Sequence, residues 1–337
     1  MINKETIKRE IANGYISEQQ HPTAPLRILN YTQKTQFDWH WNNETKQCRG
    51  LIVDNNWNIV ARPFQKFFSY EQLNGVVPNE PFTAYEKMDG SLGILYHVDG
   101  VPYIATRGSF TSPQAERATE IYRRKYRKVK VDQSMTYLFE IIYPENQIVV
   151  NYGNTEDLIL LAVIETETGD ELPLPNIGFT VVKQYDITEF KQLLEQQNDD
   201  REGFVVRFQS GQRVKIKFDE YKRLHKIITS INPKHIWETL RSGKTLDNLL
   251  ERTPDKFQQW VRETENELMK QFAEVECEAR RKLQFGNDRK KLAQIFKQCQ
   301  FHGIMFAILD RKNYKQLIWK TIKPKTNTTT QNTYLEK

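Results

Sequence analysis

The spacing of apolar residues changes near Tyr221, and this change constrains the fold more than any other feature of the chain. Upstream of it, short apolar or alternating runs have the pattern of half-buried strands. The strands predicted from these runs are 50–53, 59–61, 92–97, 103–106, 137–142, 158–164, 204–208 and 213–217. Downstream, the pattern is helical. The predicted fold class is α+β, with antiparallel sheets in a domain of residues 1–222 and an all-helical domain of residues 223–337.

Several helix starts carry a side chain that can accept a hydrogen bond from the free N–H groups of the first turn, often followed by proline. The predicted helices are 112–127 after Ser112-Pro113, 187–197 after Asp186, 234–241 after Asn232-Pro233, a long helix to about 283 after Thr253-Pro254, and 289–300 after Asp288. From residue 326 the chain is polar and low in complexity, and we expect it to fray.

Lys87 lies in the segment Glu86-Lys87-Met88-Asp89-Gly90-Ser91, directly after a short apolar and aromatic run. A lysine at a strand end, in a turn tight enough to need glycine, has the setting that a nucleophilic lysine requires. Its amine can attack the α-phosphorus of a nucleoside triphosphate, release pyrophosphate and keep the nucleotide as a phosphoramidate. Taken alone, the motif fits a surface turn with a solvated lysine equally well.

A second candidate segment begins at Glu202, where an acidic-glycine turn leads into an apolar run. Residues 213–217 then alternate basic and apolar residues, so on a strand Lys215 and Lys217 share one face. The short turn between the two runs predicts a single hairpin. A carboxylate beside two lysines suits a divalent metal ion and a phosphate, although an ordinary amphipathic edge strand has the same pattern.

The lysine pair also bears on the protonation of Lys87. A free lysine amine is protonated at neutral pH and must lose a proton before it attacks. Neighbouring cations disfavour the charged form. We therefore expect Lys215, Lys217 and a bound metal ion to lower the pKa of Lys87.

One carboxylate, Glu140, interrupts the apolar run 137–142. A charge in such a run is costly unless it is paired or functional. Glu140 is therefore predicted to accept a hydrogen bond from a ribose hydroxyl or to lie near the metal ion. Arg107, beside Gly108, is a further candidate, although a plain turn explains it nearly as well.

Three upstream segments complete the pattern. They are Asn30-Tyr31-Thr32, Cys48-Arg49-Gly50-Leu51 and Ala61-Arg62-Pro63-Phe64-Gln65-Lys66-Phe67-Phe68. In this order, the segments with Lys87, Glu140, Glu202 and the lysine pair resemble the covalent nucleotidyltransferases, which include ATP-dependent ligases and mRNA capping enzymes. The upstream segments narrow the resemblance to the bacteriophage T4-type RNA ligase 1 family. It extends roughly from residue 31 to residue 221 and implies an N-terminal nucleotidyltransferase domain.

The resemblance implies a role for each matching residue. It assigns catalysis to Lys87, Asp89, Ser91, Arg107 and Tyr221, ATP binding to Tyr31, Arg49, Lys66, Lys87, Glu140, Glu202, Lys215 and Lys217, and metal binding to Glu202 and Asp247. Arg49 and Lys66 would contact the β- and γ-phosphates. At Arg107 the family prototype has a lysine, so the charge is kept but the hydrogen-bonding geometry is not.

The composition agrees with an intracellular protein. The chain has 337 residues, 38% hydrophobic and 27% charged, which is typical of soluble proteins with more than one domain. No apolar run reaches membrane-spanning length, and the N-terminus does not resemble a signal peptide. The three cysteines, Cys48, Cys277 and Cys299, have neither metal-binding nor disulfide spacing, so we expect a reducing compartment.

Positive charge is concentrated near the C-terminus. The whole chain carries +6, whereas residues 279–325 hold 13 Lys and Arg against two Asp. Such a segment suits the backbone of a nucleic acid, although a solvated helix face is the simpler explanation without the motifs upstream.

Together these features predict an ATP-dependent RNA ligase that uses Mg²⁺ or Mn²⁺ and joins 5′-phosphate and 3′-hydroxyl RNA ends, with broken tRNA among the substrates implied by the resemblance. A separate kinase-phosphatase would heal the ends, no membrane would take part, and the protein would act as a monomer of viral or cellular origin. The alternatives are a DNA ligase, a capping guanylyltransferase or an inactive RNA-binding module. DNA ligases and capping enzymes usually continue into a small β-barrel, which the helical C-terminal pattern disfavours.

Overall fold

The computed structural model describes residues 2–250, 253, 255–283, 286 and 288–324. The chain divides into two compact units, Met1–Arg223 and Leu224–Lys337, called here the first and the second unit. Among the described residues, all strands lie in the first unit, and the second is helical. The fold is therefore α+β with its helices concentrated toward the C-terminus.

The strands of the first unit form three sheets. They are β1 Ile16–Gln20, β2 Leu26–Tyr31, β3 Arg49–Asp54, β4 Ile59–Ala61, β5 Phe68–Ser69, β6 Phe82–Lys87, β7 Ser91–Val98, β8 Val101–Ala105, β9 Met135–Ile142, β10 Asp157–Glu165, β11 Glu171–Leu172, β12 Thr180–Val181, β13 Gln184–Tyr185, β14 Gly203–Phe208 and β15 Arg213–Lys217. The sheet orders are β1-β2-β3-β4, β11-β10-β9-β7-β8 with β12 beside β10, and β13-β6-β14-β15-β5. Among the described strands, pairing is antiparallel except for β12 on β10 and β5 on β15.

The described helices are short in both units, except for the 27-residue α9 of the second. They are α1 Lys4–Ala12, α2 Gln33–Phe37, α3 Asn43–Gln47, α4 Pro113–Ile121, α5 Phe190–Glu195, α6 Asp219–Ser230, α7 Pro233–Arg241, α8 Asp247–Leu250, α9 Asp255–Arg281, α10 Arg289–Phe296, α11 His302–Leu309 and α12 Lys315–Thr321. A π-helical turn, Tyr122–Tyr126, continues α4, and two 3-10 turns lie at Glu71–Leu73 and Pro144–Asn146.

The middle sheet of the first unit is buried on both faces. Phe139 and Ile141 of β9 pack on one side, in a cluster that includes Ile121 of α4. Leu138 packs on the other side with Ile94 of β7. Because side chains alternate along a strand, Glu140 lies on the same face as Leu138. Its neighbours in sequence, Phe139 and Ile141, point to the opposite face.

The third sheet brings three strand ends together. Gly203 at the start of β14 is opposite Lys87 at the end of β6, and it is opposite Lys217 at the end of β15 on its other side. Gly203 has φ of 144°, and a Cβ built there would lie 2.0 Å from the carbonyl oxygen of Ile216. Glycine at this position therefore permits the close approach of β14 and β15 that aligns the two lysines.

The second unit has its own apolar core. Val275 and Ala279 of α9 pack with Phe296 of α10, Met305 of α11 and Ile318 of α12. Two of its described helices begin at a residue whose side chain caps the first turn. The Asn232 side chain accepts from the His235 N–H, and Asp288 accepts from the N–H groups of residues 290 and 291.

The strands predicted from apolar spacing all occur, with ends that differ by two residues at most. The predicted helix 187–197 is wrong in its N-terminal part, because α5 begins only at Phe190 and Glu189 makes no side-chain cap there. The predicted helix 289–300 is too long, since α10 ends at Phe296. Pro254 and the predicted frayed end from residue 326 lie outside the described residues.

All three cysteines are free thiols, and Cys48 is buried. Over the part of the chain that the structure describes, no helix has both the length and the apolar character needed to cross a membrane.

Candidate active site

Lys87 is the last residue of β6, and its ammonium group is held by one carboxylate. Lys87 Nζ lies 2.7 Å from Glu202 Oε2, and Lys217 Nζ lies 2.9 Å from Glu202 Oε1. The Glu202 side chain is only 3% exposed. Glu202 thus lies between the two lysines, with each of its oxygens paired to one of them.

This pairing reverses the predicted effect on Lys87. Burial disfavours the charged amine, but the carboxylates of Glu202, Glu140 and Asp89 outweigh burial and raise the pKa of Lys87 above its ordinary value. The expectation that neighbouring cations lower this pKa is therefore wrong for the protein without bound nucleotide. Burial also opposes the charge of Glu202, yet Lys87 and Lys217 together lower the pKa of that carboxyl group.

Lys215 is the lysine whose pKa falls. Burial first, and then the charges of Lys66, Arg49 and the other lysines, lower its pKa to about 6. Its Nζ lies 5.1 Å from the ring centre of Phe67, and the Arg49 guanidinium lies 5.7 Å from the same ring. A compact cluster of basic side chains therefore adjoins the Lys87 pair, and among the described residues Lys215 forms no ion pair with a carboxylate. The cluster suits a group with several negative charges.

Asp89 holds the turn that follows Lys87. One of its oxygens accepts from the N–H groups of Val149 and Val150, each at 2.8 Å, and the other accepts from the Tyr221 hydroxyl at 2.8 Å. The Asp89 N–H donates to the Tyr152 hydroxyl at 2.9 Å. Asp89 and Tyr221 are both buried, so their hydrogen bonds fix the turn that follows Lys87.

Glu140 and Ser91 lie on the other side of this turn. Glu140 Oε1 accepts from the Gly90 N–H at 3.0 Å, and burial raises the pKa of Glu140 to about 7. A Cβ at Gly90 would lie 2.6 Å from the carbonyl oxygen of Ile141, so the turn requires glycine. Ser91 Oγ lies 3.2 Å from the amide oxygen of Asn146 and donates to it.

Tyr31, Arg107 and Lys66 form the outer part of the site. Arg107 Nη1 donates to the Tyr31 hydroxyl at 3.0 Å. Lys66 Nζ lies 5.7, 5.2 and 5.3 Å from the ring centres of Tyr31, Trp41 and Phe68. Burial, opposed by Tyr31 and reinforced by nearby arginines, lowers the pKa of Lys66. Within the described part of the chain, Lys66 and Arg107 contact aromatic rings and form no ion pair with a carboxylate.

The predicted site residues all belong to the first unit except Asp247. Asp247 begins α8 in the second unit and pairs with Arg262 at 3.3 Å. Among the described residues, no group of three or more His, Cys, Asp or Glu side chains could hold a metal ion. Glu202 alone still fits Mg²⁺ in a phosphoryl-transfer site, because that ion is usually held by one or two carboxylates together with phosphate oxygens.

Three contributors were not predicted from the sequence. Tyr152 and Asn146 hold the Lys87 turn through Asp89 and Ser91, and the Phe67 ring lies near both Lys215 and Arg49. Phe67 adjoins Lys66 within a segment that the sequence already singled out. Tyr152 and Asn146 carry no local signal, since each is brought to the turn from a distant loop.

A cavity of about 820 Å³ borders the Lys66 segment. Lys46, Arg62, Lys66, Phe67 and Arg213 are among its lining residues, whereas Lys87 and the carboxylates that surround it are not. The cavity is therefore distinct from the site around Lys87, and it adjoins that site through the Lys66 segment.

Comparison with known proteins agrees with this geometry. A family model described as RNA ligase, of the T4 RNA ligase 1 type, matches residues 47–222. A protein of Thermovibrio ammonificans provisionally named an RNA ligase is 31% identical over 218 residues, which are 56% of this chain and 56% of that protein. A protein of Autographa californica nuclear polyhedrosis virus, provisionally named a bifunctional polynucleotide kinase/RNA ligase, is 27% identical over 65% of this chain and 38% of its own length.

A third relative, the RNA ligase of Rhodothermus phage RM378, is 25% identical over 62% of this chain and 66% of its own length. The chain thus spans between 38% and 66% of the length of these relatives. The family match covers just over half of the chain and includes Lys87, Glu140, Glu202 and both lysines of β15. This protein therefore belongs to the RNA ligase family of the T4 RNA ligase 1 type.

Proposed function

We propose that this protein is an ATP-dependent RNA ligase that works in three steps. Lys87 attacks ATP and becomes adenylylated. The AMP group then passes to an RNA 5′-phosphate, and an RNA 3′-hydroxyl finally attacks that adenylylated end and releases AMP. The ion pairs that join Lys87, Glu202 and Lys217, in a chain of this family, are the observation that carries the proposal.

In the first step, the bond from Lys87 Nζ to the α-phosphorus forms as the bond to pyrophosphate breaks. The charged amine gives up one proton before it attacks, which Glu202 Oε2 can accept, and a second as the phosphoramidate forms, which passes to the departing pyrophosphate or to water. Glu202 Oε2, at 2.7 Å, is the acceptor that holds the ammonium before attack. A bound triphosphate would compete with Glu202 for the Lys87 amine, because the negative charge of the triphosphate would lie among the same cations.

Lys215, Lys217, Arg49 and Lys66 are the residues proposed to neutralise the phosphates. Cations fixed in a buried site cost no reorganisation when charge develops, and loss of one such donor costs about a hundredfold to a thousandfold in rate. Tyr31 and Arg107 would orient the nucleotide at the outer side of the site, while Glu140 is proposed to bind the ribose.

Glu202 is the carboxylate proposed to hold a divalent ion, Mg²⁺ or Mn²⁺, with a further contribution from Asp247. Such an ion supplies charge neutralisation to phosphoryl chemistry. Both oxygens of Glu202 are paired with lysines in the present structure. Glu202 therefore offers an ion fewer free lone pairs until one of these pairs opens.

The proposed substrate is RNA with a 5′-phosphate and a 3′-hydroxyl, including broken tRNA. The basic residues of the second unit would neutralise RNA phosphates. The name of the baculovirus relative combines kinase and ligase activities. We propose that a separate kinase-phosphatase prepares the ends for this ligase, which acts as an intracellular monomer.

The competing functions differ in nucleotide and acceptor. A DNA ligase would seal DNA better than RNA, a capping enzyme would take GTP, and an inactive binding module would label with neither. The intact Lys87, Glu202 and Lys217 group favours an active enzyme over the last of these.

The test is incubation with α-labelled ATP or GTP and a divalent metal ion, followed by a chase with 5′-phosphorylated RNA or DNA. We expect label from ATP on the wild-type protein and on Lys191→Ala, a control whose side chain is 84% exposed on α5. Lys87→Ala should show no label but should still seal RNA that is already adenylylated. Label on Lys87→Ala, or transfer to DNA alone, would refute the proposal.

A further inference from the structure

A cluster of three aromatic side chains, Trp39, Trp41 and Phe68, lies beside the cations of the outer site, and we call it the aromatic platform. Its ring centres are 5.1 Å apart for Trp39 and Phe68, 5.6 Å for Trp41 and Phe68, and 6.4 Å for Trp39 and Trp41. Trp39 is 54% exposed. An indole is expensive to leave in water, so a large exposed tryptophan within a contacting group marks an interaction surface.

The loop that carries Trp39 is firmly held. The buried carboxylate of Glu10 contacts His40 Nε2 at 2.9 Å and accepts from Asn42 Nδ2 at 3.0 Å. The His40 ring stacks on Tyr15 at 4.0 Å. Trp39 itself has φ of 53°, a conformation unusual for a residue with a side chain. Its exposure is therefore a fixed feature, and a preorganised ring loses little entropy when it binds a ligand.

The platform is continuous with the candidate active site. Lys66 Nζ lies over the rings of both Trp41 and Phe68 as well as that of Tyr31. Tyr31 in turn accepts a hydrogen bond from Arg107. The buried indole nitrogen of Trp41 has no hydrogen-bond partner among the described residues. The rings are tilted or perpendicular to one another, so the exposed ring of Trp39 is the one that offers a stacking face. An apolar cluster thus ends at a lysine proposed to contact phosphate, and a nucleotide likewise joins an apolar base to a phosphate.

We propose that the aromatic platform stacks an unpaired nucleobase of the RNA strand at the break. This proposal rests on the proposed function and adds a subsite to it. Single-stranded nucleic acid is bound in general by aromatic side chains that stack on bases next to cations that follow the backbone. Lys66, free of ATP once pyrophosphate has left, would take the adjoining RNA phosphate, and Trp39 supplies the exposed ring.

The first test separates stacking from simple apolar contact. Trp39→Phe keeps a π-face, whereas Trp39→Leu keeps apolar area without one. Because a stacked base contributes about fivefold to 150-fold in affinity, Trp39→Leu should raise the KM for sealing of adenylylated RNA within that range, and Trp39→Phe should restore most of the loss. Phe37→Leu is the matched control, since Phe37 is 85% exposed and makes no ring contact among the described residues.

The second test identifies the base. RNA substrates carry an abasic nucleotide either at the 5′-phosphate end or at the 3′-hydroxyl end. With the wild type, one of these should weaken binding by the same factor as Trp39→Leu, and the two changes together should cost no more than one alone. The strand whose abasic substrate behaves in this way is the one that carries the stacked base.

Adenylylation with ATP supplies the internal control. It should be unchanged in the Trp39 variants, and a raised KM for ATP would mean that the platform binds the adenine of ATP, which would overturn the proposal. Equal KM values for Trp39→Leu and the wild type would overturn it as well. If the wild type itself forms lysine-AMP but seals no RNA, the proposed function fails and the Trp39 variants are not needed to show it.

Discussion

Glu202→Gln is expected to destabilise the first unit strongly, because Glu202 is the shared counter-charge of two lysines. Its side chain is 3% exposed, while those of Lys87 and Lys217 are 19% and 29% exposed. A glutamine amide offers one oxygen to two ammonium groups, so at least one partly buried cation loses its partner. Loss of one member of a buried ion pair typically costs about 3–5 kcal/mol. For a unit of this size, that corresponds to a fall in Tm of about 6–20 °C.

Removal of one of the two lysines should reduce stability less than Glu202→Gln does. In Lys87→Met, Glu202 keeps Lys217, and one cation is removed from a cluster in which Lys215 is already forced toward its neutral form. We expect a loss of about 1.5–3 kcal/mol, that of a hydrogen bond to a charged group. Calorimetry and urea unfolding of the wild type and both variants give the order of their stabilities directly. A Lys87→Met protein that is as unstable as Glu202→Gln would refute the shared-counter-charge reasoning.

The pH dependence of the Glu202→Gln effect has a definite sign. Although burial opposes its charge, Lys87 and Lys217 lower the pKa of Glu202 in the folded protein. The stability that it contributes is therefore complete above the ordinary glutamate pKa and is lost as the pH falls through the lowered value. The difference between wild type and variant should be constant near neutral pH and shrink only in acid. A difference that grows on acidification would contradict this assignment.

Three further predictions concern the rest of the site. Burial and neighbouring cations lower the pKa of Lys215 to about 6, so a triphosphate that binds at about pH 7.5 should bring up to about one proton with it, and Lys215→Met should abolish this uptake in calorimetry with buffers of different ionisation enthalpy. Tyr221→Phe removes a donor from buried Asp89 and should cost about 1–3 kcal/mol in urea unfolding, with adenylylation slowed and no change in KM for RNA. A chain that ends at Ser230, after the helix that contains Tyr221, should form lysine-AMP if circular dichroism shows it folded, and its RNA binding should depend less steeply on salt. An unchanged salt slope would mean that the basic C-terminal segment is only a solvated surface.

The fold was largely predictable from the sequence because its strands are marked by local patterns. β4 and β15 have the predicted ends, since alternation and turn residues bound them closely. The start of α5 was predicted three residues too early. A polar side chain before an apolar run is a weak start signal when tertiary contacts decide the first turn. The long α9 was easier to predict, because helical periodicity is sustained over 27 residues.

The sequence pointed to residues that the structure brings together around Lys87, but it did not predict their electrostatics. The motifs identified Lys87, Glu202 and Lys217, and the hairpin register explains why they meet. Sequence spacing could not show that Glu202 lies between the two lysines, so the predicted direction of the Lys87 pKa was wrong. The effect expected for Lys87 occurs instead at Lys215, which has cations around it and an aromatic ring, Phe67, as a neighbour.

The charge arrangement links the first proposed step to the second. While Lys87 is an ammonium group, it occupies one oxygen of Glu202. Formation of the phosphoramidate removes that charge, so Glu202 loses the partner at Oε2 and retains Lys217 at Oε1. The freed oxygen then lies beside the new α-phosphate, where a carboxylate next to an anion is unfavourable unless a cation joins them. Adenylylation itself would therefore create the demand for a metal ion or another cation at Glu202, and the carboxylate that holds the nucleophile before the reaction would become a ligand after it.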